Sequence, residues 1–205
     1  MRTIKETCYK GCRILLGNEK RDLLDKMIQE LRKQGFTEMQ IPNIQFSELF
    51  QNKVGGENLA MMFEVKDRAD RDLCLAPEYT AVIQRLANTT FKFEKDVRVF
   101  YVQECFRGEK PQAGRYRQFT QLGVEIINPA KDYLEYMQAL AVALLPDTLQ
   151  TVQINTDVTR GLDYYKNGKG FEIICETLGN AKQVCGGGEY QGGIGFAIGI
   201  DRLLL

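Results

Sequence analysis

The stretch FRGEKPQAGRYRQFTQLGVE, from Phe106 to Glu125, constrains this chain more than any other part of it. From Arg117 onward it alternates. Arg117, Phe119, Gln121, Gly123 and Glu125 share one parity, and Gln118, Thr120, Leu122, Val124 and Ile126 share the other. In a strand, one parity is one face. The even face turns apolar at Leu122 and suits packing against helices. The odd face carries an aromatic ring, an amide, a bare glycine and a carboxylate. Burying Gln121 and Glu125 without partners would cost about 1–3 kcal/mol each, so this face belongs in a ligand site.

A second segment repeats the pattern with different chemistry. In GGIGFAIGIDR, Gly193, Gly195, Ala197 and Gly199 alternate with Ile194, Phe196, Ile198 and Ile200. One face is wholly apolar and the other has almost no side chains. Glycine weakens a strand interior, so a regular row of it marks close approach of a ligand or of another backbone. Packing against a neighbouring sheet is the competing reading. Arg202 falls at the start of a helix, where it would reach over that floor.

Composition sets the outer bounds. A chain of 205 residues that is 44% hydrophobic can build one domain with a substantial core, taken here as residues 1–205. With 27 basic and 27 acidic side chains the net charge is zero, so no broad basic field for nucleic acid is expected, local patches aside. No apolar run approaches a membrane span, and MRTIKETCYK lacks a signal-peptide core. A cytoplasmic protein with no membrane partner is expected. The cysteines at positions 8, 12, 74, 105, 175 and 185 include one C-x3-C and no CxxC pair, and histidine is absent. A structural metal site is therefore not expected, and His-based acid–base or triad chemistry is excluded. Cys74, Cys105 and Cys175 lie in strand-like runs and read as small buried hydrophobes in a reducing compartment. Catalysis would have to rest on arginine, carboxylates and positioning.

Periodicity predicts a helix from Asn18 to Gln34, with Leu23, Leu24, Met27, Ile28 and Leu31 on one stripe and Gly35 as the stop. It predicts a strand over Met39–Ile44, a short helix over Phe46–Asn52, and a hairpin of Met61–Val65 with Asp72–Leu75. Pro77 opens a helix through Leu86, and Val97–Phe106 is a strand leading into the loop Gly108–Gly114. Lys131–Leu145 reads as a helix; Val152–Thr156, Gly170–Glu176 and Gly193–Ile198 read as strands. This order predicts an α+β fold with an antiparallel-rich sheet and helices on one side.

The two alternating segments resemble motifs 2 and 3 of the class II aminoacyl-tRNA synthetases, and of histidyl-tRNA synthetase in particular. GFTEMQIPNIQ, from Gly35 to Gln45, resembles motif 1, with Pro42 as its proline. LAPEYT, from Leu75 to Thr80, is similar to the amino-acid-binding LRPEGT segment, and RGLDYYKNGKGFE, from Arg160 to Glu172, to the histidine-specific segment. The match runs from about Lys10 to the last residue, with deletions. It implies a six- or seven-stranded antiparallel sheet flanked by helices, and a homodimer joined through motif 1. It also implies ATP-dependent activation of histidine to histidyl-adenylate, with Mg2+ as the counterion of ATP.

The resemblance also implies roles. Arg107 and Arg160 would hold the α-phosphate from opposite sides, Arg107 also holding the substrate carboxylate. These are the implied catalytic residues, arginine being suited by its permanent charge and its fork onto phosphate. Arg115 would reach the outer phosphates, Glu109 would lie near the adenine amine, and Phe119 and Arg202 would sandwich the adenine. In the amino-acid pocket, Glu78, Thr80 and Gln121 would take the α-ammonium. Glu125 would accept from an imidazole N–H, Tyr165 would engage the other ring nitrogen, and Tyr190 would line the pocket. Along the strand, Phe119 and Glu125 lie about 20 Å apart, which suits adenine at one end and a side chain at the other. Gly123 would leave room between them.

The chain departs from the family pattern at particular places. Ala76 and Tyr79 stand where the family has arginine and glycine, FTQ replaces FHQ, and Asp201 replaces a glutamate before Arg202. The interval from Glu125 to Arg160 is short where the full-length enzyme carries an inserted helical domain, and an anticodon-binding domain after Leu205 is not expected. Three readings stay open. The chain activates histidine, with or without transfer to tRNA. It is an idle paralogue that senses histidine or signals to a partner enzyme, like the regulatory subunit of ATP phosphoribosyltransferase. Or it passes the amino acid to a carrier protein or small acceptor.

Overall fold

Two strands organise the molecule, β6 (Gln118–Ile127) and β10 (Gly193–Gly199), paired antiparallel in the middle of one sheet. The computed structural model describes residues 17–51, 59–110, 114–149, 151–156, 158 and 165–205, with 165–167 and 180 as backbone only. Around the central pair lie β1 (Thr37–Glu38), β5 (Val97–Phe106), β7 (Val152–Thr156), β8 (Tyr165–Cys175) and β9 (Gln183–Tyr190). The seven strands run in the order β1-β5-β6-β10-β9-β8-β7. Every neighbouring pair is antiparallel except β1 with β5. A second, three-stranded sheet joins β2 (Ile44–Phe46), β4 (Asp72–Leu75) and β3 (Phe63–Lys66) in that order.

The alternation works as the pattern requires. Leu122, Val124 and Ile126 of β6, with Ile194, Phe196 and Ile198 of β10, are buried against Met27 and Leu31 of α1 (Glu19–Lys33) and Met137, Leu140 and Ala141 of α4 (Leu134–Ala143). Gly35 ends α1 with a φ of 80°, which lets the Phe36 N–H turn back to the Leu31 carbonyl at 3.0 Å. Helices lie on both faces, however, not one. The opposite parity of β5, with Val99, Tyr101 and Cys105, packs against Ala81, Val82 and Ile83 of α3 (Thr80–Asn88) and against Phe50 of α2 (Glu48–Gln51). Cys74, Cys105, Cys175 and Cys185 are buried, as expected of the first three; positions 8 and 12 lie outside the described residues.

Several element boundaries differ from expectation for local reasons. The strand expected over Met39–Ile44 is divided. Thr37–Glu38 pairs with β5, the Met39 N–H still reaches the Phe100 carbonyl at 2.8 Å, and the chain then leaves the sheet around Pro42, which has no N–H to give. Ile44 to Phe46 then joins the small sheet, so the helix expected from Phe46 begins at Glu48. The helix expected from Pro77 begins at Thr80. The Glu78 carboxylate accepts the Thr80 and Ala81 N–H groups at 2.6 and 3.1 Å, closing the first turn there. The Lys131–Leu145 helix contracts to Leu134–Ala143, with Asp132 accepting the Leu134 N–H at 2.9 Å. Strand β9, with three successive glycines, was not among the expected strands. It serves as a full strand since a Cβ at Gly187 would overlap Phe196 of the next strand.

Phe196 is 1% exposed and lies against Phe171, ring centroids 6.4 Å apart. Phe196→Ala should cost about 3–5 kcal/mol in urea unfolding, whereas a loss under about 1 kcal/mol would show that the sheet repacks around the gap.

Candidate active site

The β5–β6 hairpin, the start of α3 and the end of β10 converge on one cavity of about 170 Å³. The mouth of the hairpin is held by the Arg107 N–H donating to the Arg117 carbonyl at 2.8 Å. The Arg107 side chain bends back, its Nε donating to the Pro77 carbonyl at 2.9 Å and its guanidinium lying 5.2 Å from the centre of the Phe119 ring. Arg202, in α5 (Ile200–Leu203), comes from the opposite wall. Its Nε donates to the Gly114 carbonyl at 3.2 Å and its Nη1 to the Gln183 carbonyl. Arg107, and not Arg202, therefore faces the Phe119 ring. Arg115 stands 3.8 Å from Glu109, and both line the cavity with Arg107, Phe119 and Arg202.

Charge is crowded at this end. Burial first, and then the neighbouring Arg115 and Arg107, hold the Arg202 guanidinium below its ordinary pKa, with Glu109 acting the other way. A buried guanidinium whose charge its neighbours disfavour makes a site whose electrostatics an incoming anion would relieve.

The other end is lined by Glu78, Thr80 and Gln121. Glu78 is 6% exposed, and burial pushes its carboxyl up while the helix N–H groups that it accepts pull it down. Gln121 Oε1 accepts the Cys105 thiol at 3.1 Å. Tyr79, at a position where glycine was the family expectation, is 1% exposed, with its hydroxyl donating to Asn43 Oδ1 (2.7 Å) and close to the Glu104 carbonyl (2.8 Å).

Beyond Tyr101 the glycine-poor and glycine-rich strands interlock. Tyr101 pairs with Gly123, Glu125 with Gly195, and Tyr190 with Gly193. A Cβ at any of these glycines would collide with the large side chain of its partner. The space expected at Gly123 for a substrate is thus filled by the Tyr101 ring, and the glycine row is floored by the protein's own side chains. The physical reason is that long side chains lean across the sheet onto the residue opposite, and glycine is the one residue that leaves that space. Glu125 is 2% exposed and receives the Tyr190 hydroxyl on Oε2 at 2.7 Å and the Tyr101 hydroxyl on Oε1 at 3.3 Å. Burial pushes its carboxyl up to about 8, against the pull of the Tyr190 hydroxyl.

Of the residues expected in the site, eight line the cavity, Glu125 and Tyr190 lie behind Tyr101, and Arg160 falls outside the described residues. Tyr165 is placed by its backbone alone, opposite Tyr190 in the β8–β9 pair. Tyr79, singled out as a departure from the family pattern, also lines the cavity, whereas Tyr101 was missed. Tyr101 becomes visible only once β5 is set in register with β6, which places it across from Gly123.

A family model described as histidyl-tRNA synthetase matches residues 17–145, more than half of the chain. A histidine–tRNA ligase of Archaeoglobus fulgidus is 28% identical over 305 aligned positions, covering 95% of this chain and 74% of the relative. Because the alignment is longer than the 205-residue chain, the relative carries segments that this chain lacks. A histidine–tRNA ligase of Methanococcus maripaludis is 38% identical over 60% of this chain and 30% of its own length. Among solved structures, a Bacillus halodurans protein described as an ATP phosphoribosyltransferase regulatory subunit/histidyl-tRNA synthetase superposes with a TM-score of 0.77. It is 17% identical, over 100% of this chain and 83% of that one. The apo histidyl-tRNA synthetase of S. aureus gives 0.70 at 24% identity, over 100% and 69%. These two likenesses show the class II synthetase fold.

The buried carboxylate sets a pH dependence. Native Glu125 keeps its proton up to about pH 8, whereas the unfolded side chain releases it near 4.5. The native state thus binds more protons across that window, and stability falls as pH rises through it. Glu125→Gln should flatten the decline in melting temperature between about pH 5 and pH 8, with the slope that remains from Glu78 having the same sign. Parallel profiles for the two proteins would contradict this account of Glu125.

Proposed function

The chain belongs to the histidyl-tRNA synthetase family, and from that premise we propose that it activates histidine with ATP to form histidyl-adenylate and pyrophosphate. The observation that carries the reading is the meeting of Arg107 and Arg115, from one stretch of sequence, with Arg202, from another, around one cavity that Phe119 also lines. In the reaction a carboxylate oxygen bonds to the α-phosphorus as the bond to pyrophosphate breaks. Negative charge gathers on phosphoryl oxygens, and fixed guanidiniums stabilise it without reorganising at the moment of reaction. Arg107 would face the α-phosphate and Arg115 the outer phosphates, with the adenine between Phe119 and Arg202. Mg2+ belongs to the nucleotide in this reading, as the counterion of its phosphates. An idle, histidine-sensing paralogue would have no use for three guanidiniums around one cavity, and that arrangement favours the enzyme.

At the amino-acid end, Glu78, Thr80 and Gln121 would receive the α-ammonium. The imidazole would reach Glu125 by displacing the Tyr101 hydroxyl from it, exchanging one N–H or O–H donor for another. Transfer of the activated histidine to tRNA follows the activity named for the relatives, and a cytoplasmic setting is consistent with it. Among the described residues, no helix is long and apolar enough to cross a membrane.

A homodimer is part of the same proposal. Ile44 and Phe46 are 56% and 39% exposed, beside an apolar groove formed by Met39, Ile41, Pro42, Leu73 and Leu86. A second copy would cover this surface. Sedimentation at micromolar concentration should show a dimer, and a persistent monomer would remove that part of the reading.

The decisive measurement is histidine-dependent exchange of pyrophosphate into ATP, with and without tRNA. Exchange should require histidine over every other standard amino acid. Arg107→Ala and Arg202→Ala should each weaken ATP binding by about 1–3 kcal/mol in calorimetry, the range for a charge-assisted contact. Exchange with no amino-acid dependence, or ATP affinity equal in all three proteins, would reject the assignment.

A further inference from the structure

The two departures from the family pattern nearest the nucleotide end touch each other. Thr120, which stands in FTQ, donates its backbone N–H to Asp201 Oδ2 at 2.5 Å. Both residues line the cavity and both are buried, at 3% and 2% exposed. A third residue, far from either in sequence, joins them. Lys20, in the first turn of α1, donates from Nζ to Thr120 Oγ1 at 2.5 Å and pairs with Asp201 Oδ1 at 3.3 Å. The Thr120 hydroxyl gives its own proton to Glu104 Oε1 at 2.6 Å, so its donor and an acceptor lone pair are both engaged.

We propose that Lys20 is a positioning residue for the nucleotide end of the cavity, holding Thr120 and Asp201 and, through them, the adjacent Phe119 and Arg202. This rests on the reading of that end as a nucleotide site. The chemistry is that of a buried carboxylate and its cation. Asp201 sits within α5, a helix of a single turn whose other polar residue is Arg202. Without the ammonium, a nearly buried carboxylate loses the opposing charge that Lys20 brings and moves toward water, turning the short helix with it. Phe119 is displaced by the same event, because Thr120 loses the donor to its hydroxyl. The Lys20 side chain is itself 25% exposed and lies beside the cavity wall, so its effect on nucleotide passes through its partners.

The test compares Lys20→Met and Lys20→Arg with the unaltered chain. In protein labelled with 15N-arginine, the Arg202 Nε–H resonance is assigned by its loss in Arg202→Lys. It should shift in nucleotide-free Lys20→Met and return in Lys20→Arg. Calorimetry should show ATP binding weakened about tenfold in Lys20→Met, histidine binding changed by less than about twofold, and most of the ATP affinity restored in Lys20→Arg. An unmoved resonance with unchanged ATP affinity would overturn the proposal, as would equal losses for ATP and histidine. If the unaltered chain binds no ATP, the nucleotide reading fails, and the Arg202 resonance still decides whether Lys20 positions that side chain.

Discussion

Antiparallel pairing of β6 with β10 is the contact from which the rest of the molecule is built. Each strand brings one apolar face and one face of small or polar residues, and the register sets like against like. Leu122, Val124 and Ile126 meet Ile198, Phe196 and Ile194, which makes one continuous apolar surface for α1 and α4. On the reverse, Gly123 meets Ala197 and Glu125 meets Gly195, which leaves depth for side chains to lie along the sheet. A slip of one residue would exchange the two faces of a strand and bury Gln121 and Glu125 in the helical core.

The two ends of the cavity are held by opposite electrostatic arrangements. At one, three guanidiniums share the lining with Glu109 and Asp201, and Arg202 is under pressure from its neighbours. At the other, Glu78 and Glu125 are carboxyls raised by burial, each supported by donors from the protein, the α3 backbone for one and two phenols for the other. Both arrangements cost folding stability, and both are the kind that a zwitterionic substrate beside a polyanion would reward.

Much of this was readable from residue order alone, wherever a face was defined by strict alternation. β5, β6, β7, β10 and α1 lie where periodicity put them, because apolar residues spaced at two or at three to four leave few other solutions. Boundaries failed where a polar side chain or a missing N–H made the decision. Glu78 caps α3 after the proline that was read as its start, and Pro42 divides a run of strand-forming residues. β9 failed for a different reason. A run of glycines signals freedom when read locally, and only the neighbouring Phe196 explains why it is extended. In the site, motif positions pointed to Arg107, Arg115, Phe119 and Arg202, which line the cavity, and to Glu125, yet alternation could not show that Glu125 lies under Tyr101. That fact belongs to register between strands, as does the junction of Lys20 with Thr120 and Asp201.

The sheet order also implies a sequence of assembly. β5 and β6 form a hairpin, and β8, β9 and β10 a meander, each from strands that are neighbours along the chain. The two units are joined in the sheet by the pairing of β6 with β10, across residues far apart in sequence, and closing such a loop is the slow entropic step. Since the cavity runs along that junction, neither unit alone contains the pocket. The capacity to bind would thus appear last on the folding pathway, and a local opening of the junction would abolish it while leaving most of the backbone hydrogen bonds intact.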